Sequence, residues 1–164
     1  MDWYLPLKLV HIVSAIVAVG TNLTYFVWLT VMKDRSQAEQ SFILGTIKFV
    51  DARLANPGYF LLPITGIAMV LIRDLGFTTF WIAVAIGLYI LVAVLAGAVF
   101  VPALRRLAAI VETEGPGSSD YSEAVRRTRT RGLLTMLPIA GILYLMVLKP
   151  RPRTRRLPSR ASAA

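Results

Sequence analysis

Cysteine is absent from the 164 residues, and histidine occurs once. Without thiols the chain has no disulfide, thiolate metal site, iron–sulfur cluster or thioether-attached haem. Any cofactor would have to be held by His, Met, Lys, Tyr or carboxylate, and a single imidazole excludes bis-histidine haem within one chain. Acid is scarce too, with 9 Asp and Glu against 18 Lys and Arg. The dense acid pairs or histidine clusters of a proton pump are missing. No phosphate-binding loop, paired nucleophile and base, or H-E-x-x-H pattern occurs.

What the chain has in abundance is apolar length. Hydrophobic residues make up 56% and mean hydropathy is +0.64, more than a soluble domain of this size needs. From Leu9 to Met32 nothing is charged at neutral pH, and those residues make a helix of roughly 36 Å, enough to cross a bilayer core of about 30 Å. The run is too long for a cleaved leader and is expected to remain as the first span. The net charge of +9 gathers at the ends of apolar runs, which points to anionic lipid rather than nucleic acid.

These runs predict an all-α bundle of four transmembrane helices, at about 5–32, 57–73, 79–102 and 132–148. Ser36-x-x-Glu39 has capping-box spacing. Behind it Ile43, Ile47, Val50 and Leu54 recur at helical spacing between Lys48, Asp51 and Arg53. That segment, about 37–55, is expected at the membrane interface, as a lid or a plain linker. Ala55-Asn56-Pro57-Gly58 is expected to break the chain before the second span. The third span is expected to end at Pro102, with small-residue surfaces at Ala83-x-x-x-Gly87 and Ala93-x-x-x-Gly97. A polar loop over about 105–131 and a disordered basic tail over 151–164 complete the layout.

Leu62-Pro63-Ile64-Thr65-Gly66-Ile67 and Leu137-Pro138-Ile139-Ala140-Gly141-Ile142 agree at all but one position. A duplicated pair of spans, related by an axis along the membrane normal, or a shared Pro kink would each explain this. Basic residues divide almost evenly between the two sides, so orientation rests on the first span, where Asp2 precedes and Lys33 and Arg35 follow. That leans towards termini outside.

His11, the only histidine, shares a helical face with Ser14, Ala15, Ala18 and Asn22, a stripe suited to close packing or a ligand. Met69, Arg73, Tyr144 and Met146 fall at a similar depth. One imidazole and two thioethers suit haem b with His/Met ligation or Cu(I), with Lys8 or Arg73 near a propionate. An interhelical hydrogen bond from His11 and proton or ion handling stay open beside that reading. Asn22, level with Tyr25, Asn56 and Tyr59, is expected to lock the first span to the second. Thr65 is expected to rebond a carbonyl freed by Pro63.

At Leu7-Lys8-Leu9-Val10-His11-Ile12, through the small residues to Gly20, and at Met146-Val147-Leu148-Lys149-Pro150, the chain resembles the predicted integral membrane proteins of domain-of-unknown-function family 2269 over residues 5–150. The resemblance implies a four-span, multi-pass protein of a bacterial inner membrane and brings no activity with it. Lys8-x-x-His11 is more distantly similar to the haem-binding membrane proteins that oxidise protoporphyrinogen and to copper-resistance D-type proteins. In those groups a first-span histidine serves haem or metal, but Thr21 and Asn22 replace the Gly-Leu-Phe-Tyr-type run of the oxidases. Two function classes follow. One is a redox-type protein holding haem b or copper on His11; the other is a non-enzymatic component, such as a small transporter, scaffold or subunit of a homo- or hetero-oligomer, with His11 structural.

Overall fold

The computed structural model describes residues 3–150, so the expected tail at 151–164 lies outside the described residues. Helix α1, Tyr4–Val31, passes through a short 3-10 turn, Met32–Asp34, into α2, Gln37–Val50. The capping box forms as its spacing predicts: Ser36 accepts from the Glu39 backbone N–H, and the Glu39 carboxylate accepts from the Ser36 N–H. Helix α3 is Asn56–Ile72, α4 Phe80–Val94, α5 Val101–Thr113 and α6 Ser119–Leu148. No strand occurs among the described residues.

The expected break at Ala55-Asn56-Pro57-Gly58 is not a break. A π-helical turn, Asp51–Ala55, joins α2 to α3, so that Gln37–Ile72 is one helix of 36 residues. A second π-turn, Leu95–Phe100, joins α4 to α5, and Phe80–Thr113 is one helix of 34 residues. Each turn stands just ahead of a proline. The Asn56 N–H reaches back to the Asp51 carbonyl and the Val101 N–H to that of Ala96, in each case one residue beyond the α-helical partner. Pro57 and Pro102 follow directly. Neither has an N–H to place, and the widened turn relieves the clash of the ring with the preceding carbonyls.

The helix expected over 37–55 is therefore continuous with the second span, and the expected loop at 105–131 is mostly helical. Helix α5 runs to Thr113. Gly115, at φ +80°, turns the chain, and its N–H reaches back to the Ile110 carbonyl. Gln37 Nε2 donates to the Val111 carbonyl at 2.7 Å, tying the start of α2 to the end of α5. Ser118 then caps α6 by accepting from the Tyr121 N–H.

Helix α1 lies along α3, and α4 lies along α6. Four helices are long and apolar enough to cross a membrane: Tyr4–Asp34, Gln37–Ile72, Phe80–Thr113 and Ser119–Leu148. Their large apolar side chains point outward over much of their length, among them Leu9, Val13, Ile16, Phe60, Ile64, Ile90, Leu137 and Val147. The main buried apolar cluster lies at one end. Leu29 and Met32 of the first helix meet Leu44 and Ile47 of α2, Leu107 and Val111 of α5, and Ala124 and Val125 of α6. From Val101 to Gly132 no large apolar side chain is exposed, and six arginines lie in that stretch.

Candidate functional site

The stripe on α1 is used for packing. Ser14 and Ala18 are buried against Gly58, where an added Cβ would come within 3.1 Å of both the Ala18 Cβ and the Ser14 carbonyl oxygen. One turn nearer the N-terminus than Ser14, His11 Nδ1 lies 2.8 Å from Thr65 Oγ1, and its Cε1 would lie 3.4 Å from a Cβ on Gly66. The Leu62 carbonyl is also within hydrogen-bonding reach of the imidazole. Gly141, the residue matching Gly66 in the second Leu-Pro-Ile segment, receives Leu88 in the same way. Each helical hairpin thus seats one partner side chain on its Pro-x-x-Gly step.

Thr65 does not take up the carbonyl that Pro63 leaves free. Its hydroxyl lies 2.7 Å from the Leu61 carbonyl and 3.2 Å from that of Leu62. The carbonyl four residues before Pro63 belongs to Tyr59, and it accepts the Tyr89 hydroxyl of α4 at 2.7 Å. Met69 and Met146 are half-buried on different hairpins, Lys8 is exposed, and the Arg73 guanidinium stacks 4.2 Å from the centre of the Tyr4 ring. Tyr144 is 62% exposed on the outer face of α6, away from any polar contact with the bundle interior. The small-residue surfaces of the third helix are not packed against another helix: nothing comes within 4 Å of a Cβ placed on Gly87 or Gly97.

The polar groups that do converge lie around Asn22. Its amide donates to the Tyr59 hydroxyl, locking α1 to α3 as the sequence predicts. One turn further along α1, the Tyr25 hydroxyl donates to Asp51 Oδ1 at 3.0 Å, and the Asn56 side chain is close to the same carboxylate. These residues, with Tyr89 and Thr135, line a cavity of about 300 Å³. Its apolar walls include Phe26, Val92, Phe100 and Met136, and the rings of Tyr25 and Phe100 stack with centroids 6.5 Å apart. All four long helices contribute, and residues of both π-turns stand in its wall: Asp51 from one, Ala96, Gly97 and Phe100 from the other. The cavity sits where the outward-facing apolar surface gives way to the buried cluster.

The predicted integral membrane protein model, DUF2269, matches residues 5–150. The chain belongs to that family. No curated protein and no solved structure matches it. Within this DUF2269 chain the match runs through both hairpins, both π-turns and every residue that lines the cavity. Among the described residues no group of three or more His, Asp and Glu is placed to hold a metal ion.

Asp51 is the residue that sequence reasoning passed over, because it counted as part of the polar face of an interfacial helix. Helix continuity through Pro57 is the signal that would have found it. It brings Asp51 to the level of Tyr25 and puts a carboxylate among the candidate spans, where an ionisable group is costly to bury.

Proposed function

We propose that this integral membrane protein is a non-catalytic component of the small-transporter kind, which takes a small solute into the cavity around Asp51 and uses His11 for helix packing. The observation that carries the reading is a partly open cavity of about 300 Å³ where four spans meet, apolar in most of its wall and polar at a few convergent groups. Ligand sites have that make-up, and between helices of a bundle is a usual place for them. A dry structural core at this point would be filled by side chains.

The chain has no cysteine, so single-cysteine variants test the cavity cleanly. Gly97 lines it and Gly87 faces outward between Ile86 and Ile90, and both have space for a side chain. Thiol reagents attack the thiolate, which forms in water and not in lipid. Gly97→Cys should react with a small charged methanethiosulfonate at least about tenfold faster than Gly87→Cys. Equal and negligible labelling of the two would remove the reading.

The redox alternative places haem b or Cu(I) on His11, with Met69 or Met146 as second ligand and Lys8 or Arg73 near a propionate. It is the weaker of the two, because the imidazole already meets Thr65 and covers Gly66, while the open space lies deeper and none of these residues lines it. A Soret band or bound copper after haem- and copper-replete expression, lost in His11→Ala, would reverse the preference. A bacterial inner membrane fits the reading, since helices rather than closed barrels make the spans. The arginines of α5 and α6 would lie against anionic headgroups. The exposed third-helix face leaves room for a homo- or hetero-oligomer.

A further inference from the structure

The cavity is selective in what it offers. No Lys, Arg or His lines it, and it carries one carboxylate. The ion pairs found among the described residues, Arg35 with Glu39 and Arg127 with Glu123, lie elsewhere, so Asp51 meets hydrogen-bond donors but no cation. Three of the four lining hydroxyls donate within the protein, Tyr25 to Asp51, Tyr89 to the Tyr59 carbonyl and Thr135 to the Arg131 carbonyl, while that of Tyr59 accepts from Asn22. The carboxylate oxygens, with about four lone-pair positions, keep capacity to accept. An anionic or purely accepting solute would find no countercharge here. A positive, hydrogen-donating one would find both charge and acceptors.

The walls narrow the class further. Phe26, Phe100 and the rings of Tyr25, Tyr59 and Tyr89 surround the same space, and aromatic faces attract a cation within about 6 Å of the ring centre. A volume of about 300 Å³ is at the small end for ligand pockets. A hydrated metal ion would leave most of that apolar wall unused, whereas an amine on a compact apolar body covers it. We infer that the site takes a small protonated amine, its ammonium group held by Asp51 between tyrosine faces and its apolar part against Phe26, Phe100 and Met136. This rests on the solute-binding reading above and names the class of solute.

Three probes of nearly one shape separate charge from size: benzylammonium, benzyl alcohol and benzoate. They are titrated calorimetrically into the purified full chain in detergent. Benzylammonium should bind at least about tenfold more tightly than benzyl alcohol, with benzoate weakest, and Asp51→Asn should abolish the preference for the cation. If the alcohol binds as tightly as the cation, the inference is overturned while solute binding stands, because the cavity then accepts the ring without reading the charge. If no probe binds, the inference again falls, and the Gly97→Cys labelling decides whether the cavity reading falls with it. Should Asp51→Asn fail to fold, the ranking of the three probes on the unaltered protein is decisive alone.

Discussion

The two ends of this bundle are built on opposite principles. At the end that holds α2, α5 and the first half of α6, side chains such as Leu44, Ile47, Leu107 and Val111 are buried together while arginines face outward. At the end that holds the rest, the large apolar side chains face outward and the inside is made of Ser14, Ala18, Gly58, Thr65 and Gly66 with a few hydrogen bonds. The first is the arrangement that water imposes, because burying apolar area there is favourable in proportion to the area. The second is the arrangement left when the solvent is hydrocarbon. There the apolar exterior gains nothing by burial, and close backbone approach and polar contacts hold the helices. The cavity lies at the seam, where neither principle fills the space.

The largest effect should therefore come from the watery end. Leu107 is fully buried in the apolar cluster, whereas Leu143 is 43% exposed on the outer face of α6. Leu107→Ala should cost about 2–5 kcal/mol, and Leu143→Ala less than about 0.5 kcal/mol. Equilibrium unfolding in mixed detergent micelles measures both. Similar costs for the two would mean that the outer face of α6 packs against protein, and the contrast between the ends would be lost.

The same contrast explains what could be read from the sequence. Span number, the capping box at Ser36 and Glu39, and the Asn22 contact to the second span all follow from local pattern. Apolar length, cap spacing and helical phase are properties of one segment or of two neighbours. Pro57 and Pro102 were misleading for a physical reason. A proline inside an α-helix costs about 3 kcal/mol, so each reads as an end. Here a π-turn precedes each one, and the packing of α3 on α1 and of α5 on α6 offsets the residual cost. Once the second helix is taken to begin at Pro57, Asp51 falls outside the spans and the cavity cannot be assembled. His11 illustrates the converse: its chemistry was conspicuous, and the contact it makes depends on Gly66 having no side chain, a property of a residue on another helix.

A second test acts at the hydrocarbon end. Gly58 lets α1 and α3 approach so closely that an added Cβ would press on the Ser14 backbone as well as on the Ala18 side chain. Backbone cannot rotate aside, so relief requires the helices to separate. Gly58→Val should destabilise by roughly 1–3 kcal/mol, as overpacking does. The companion change Gly87→Val, on a glycine with nothing nearby, should leave the unfolding midpoint almost unmoved apart from a propensity difference of a few tenths of a kcal/mol. Equal effects at Gly58 and Gly87 would indicate that the third-helix face at Gly87 is packed as closely as α1 is on α3.

The smallest expected effect is also the one that bears most directly on His11. A hydrogen bond between spans contributes roughly 0.6 kcal/mol on average and about 1.7 kcal/mol at most, because helices separated in lipid find other polar partners. Single replacements at His11 would mix that with the loss of the ring seated on Gly66, so a double-mutant cycle is needed. With His11→Phe keeping a ring on Gly66 and Thr65→Val keeping the shape of the threonine, the coupling energy should fall within that range. A coupling indistinguishable from zero would leave the imidazole without an energetic reason to face Thr65. The case for a ligand at His11 would then gain what the packing explanation lost.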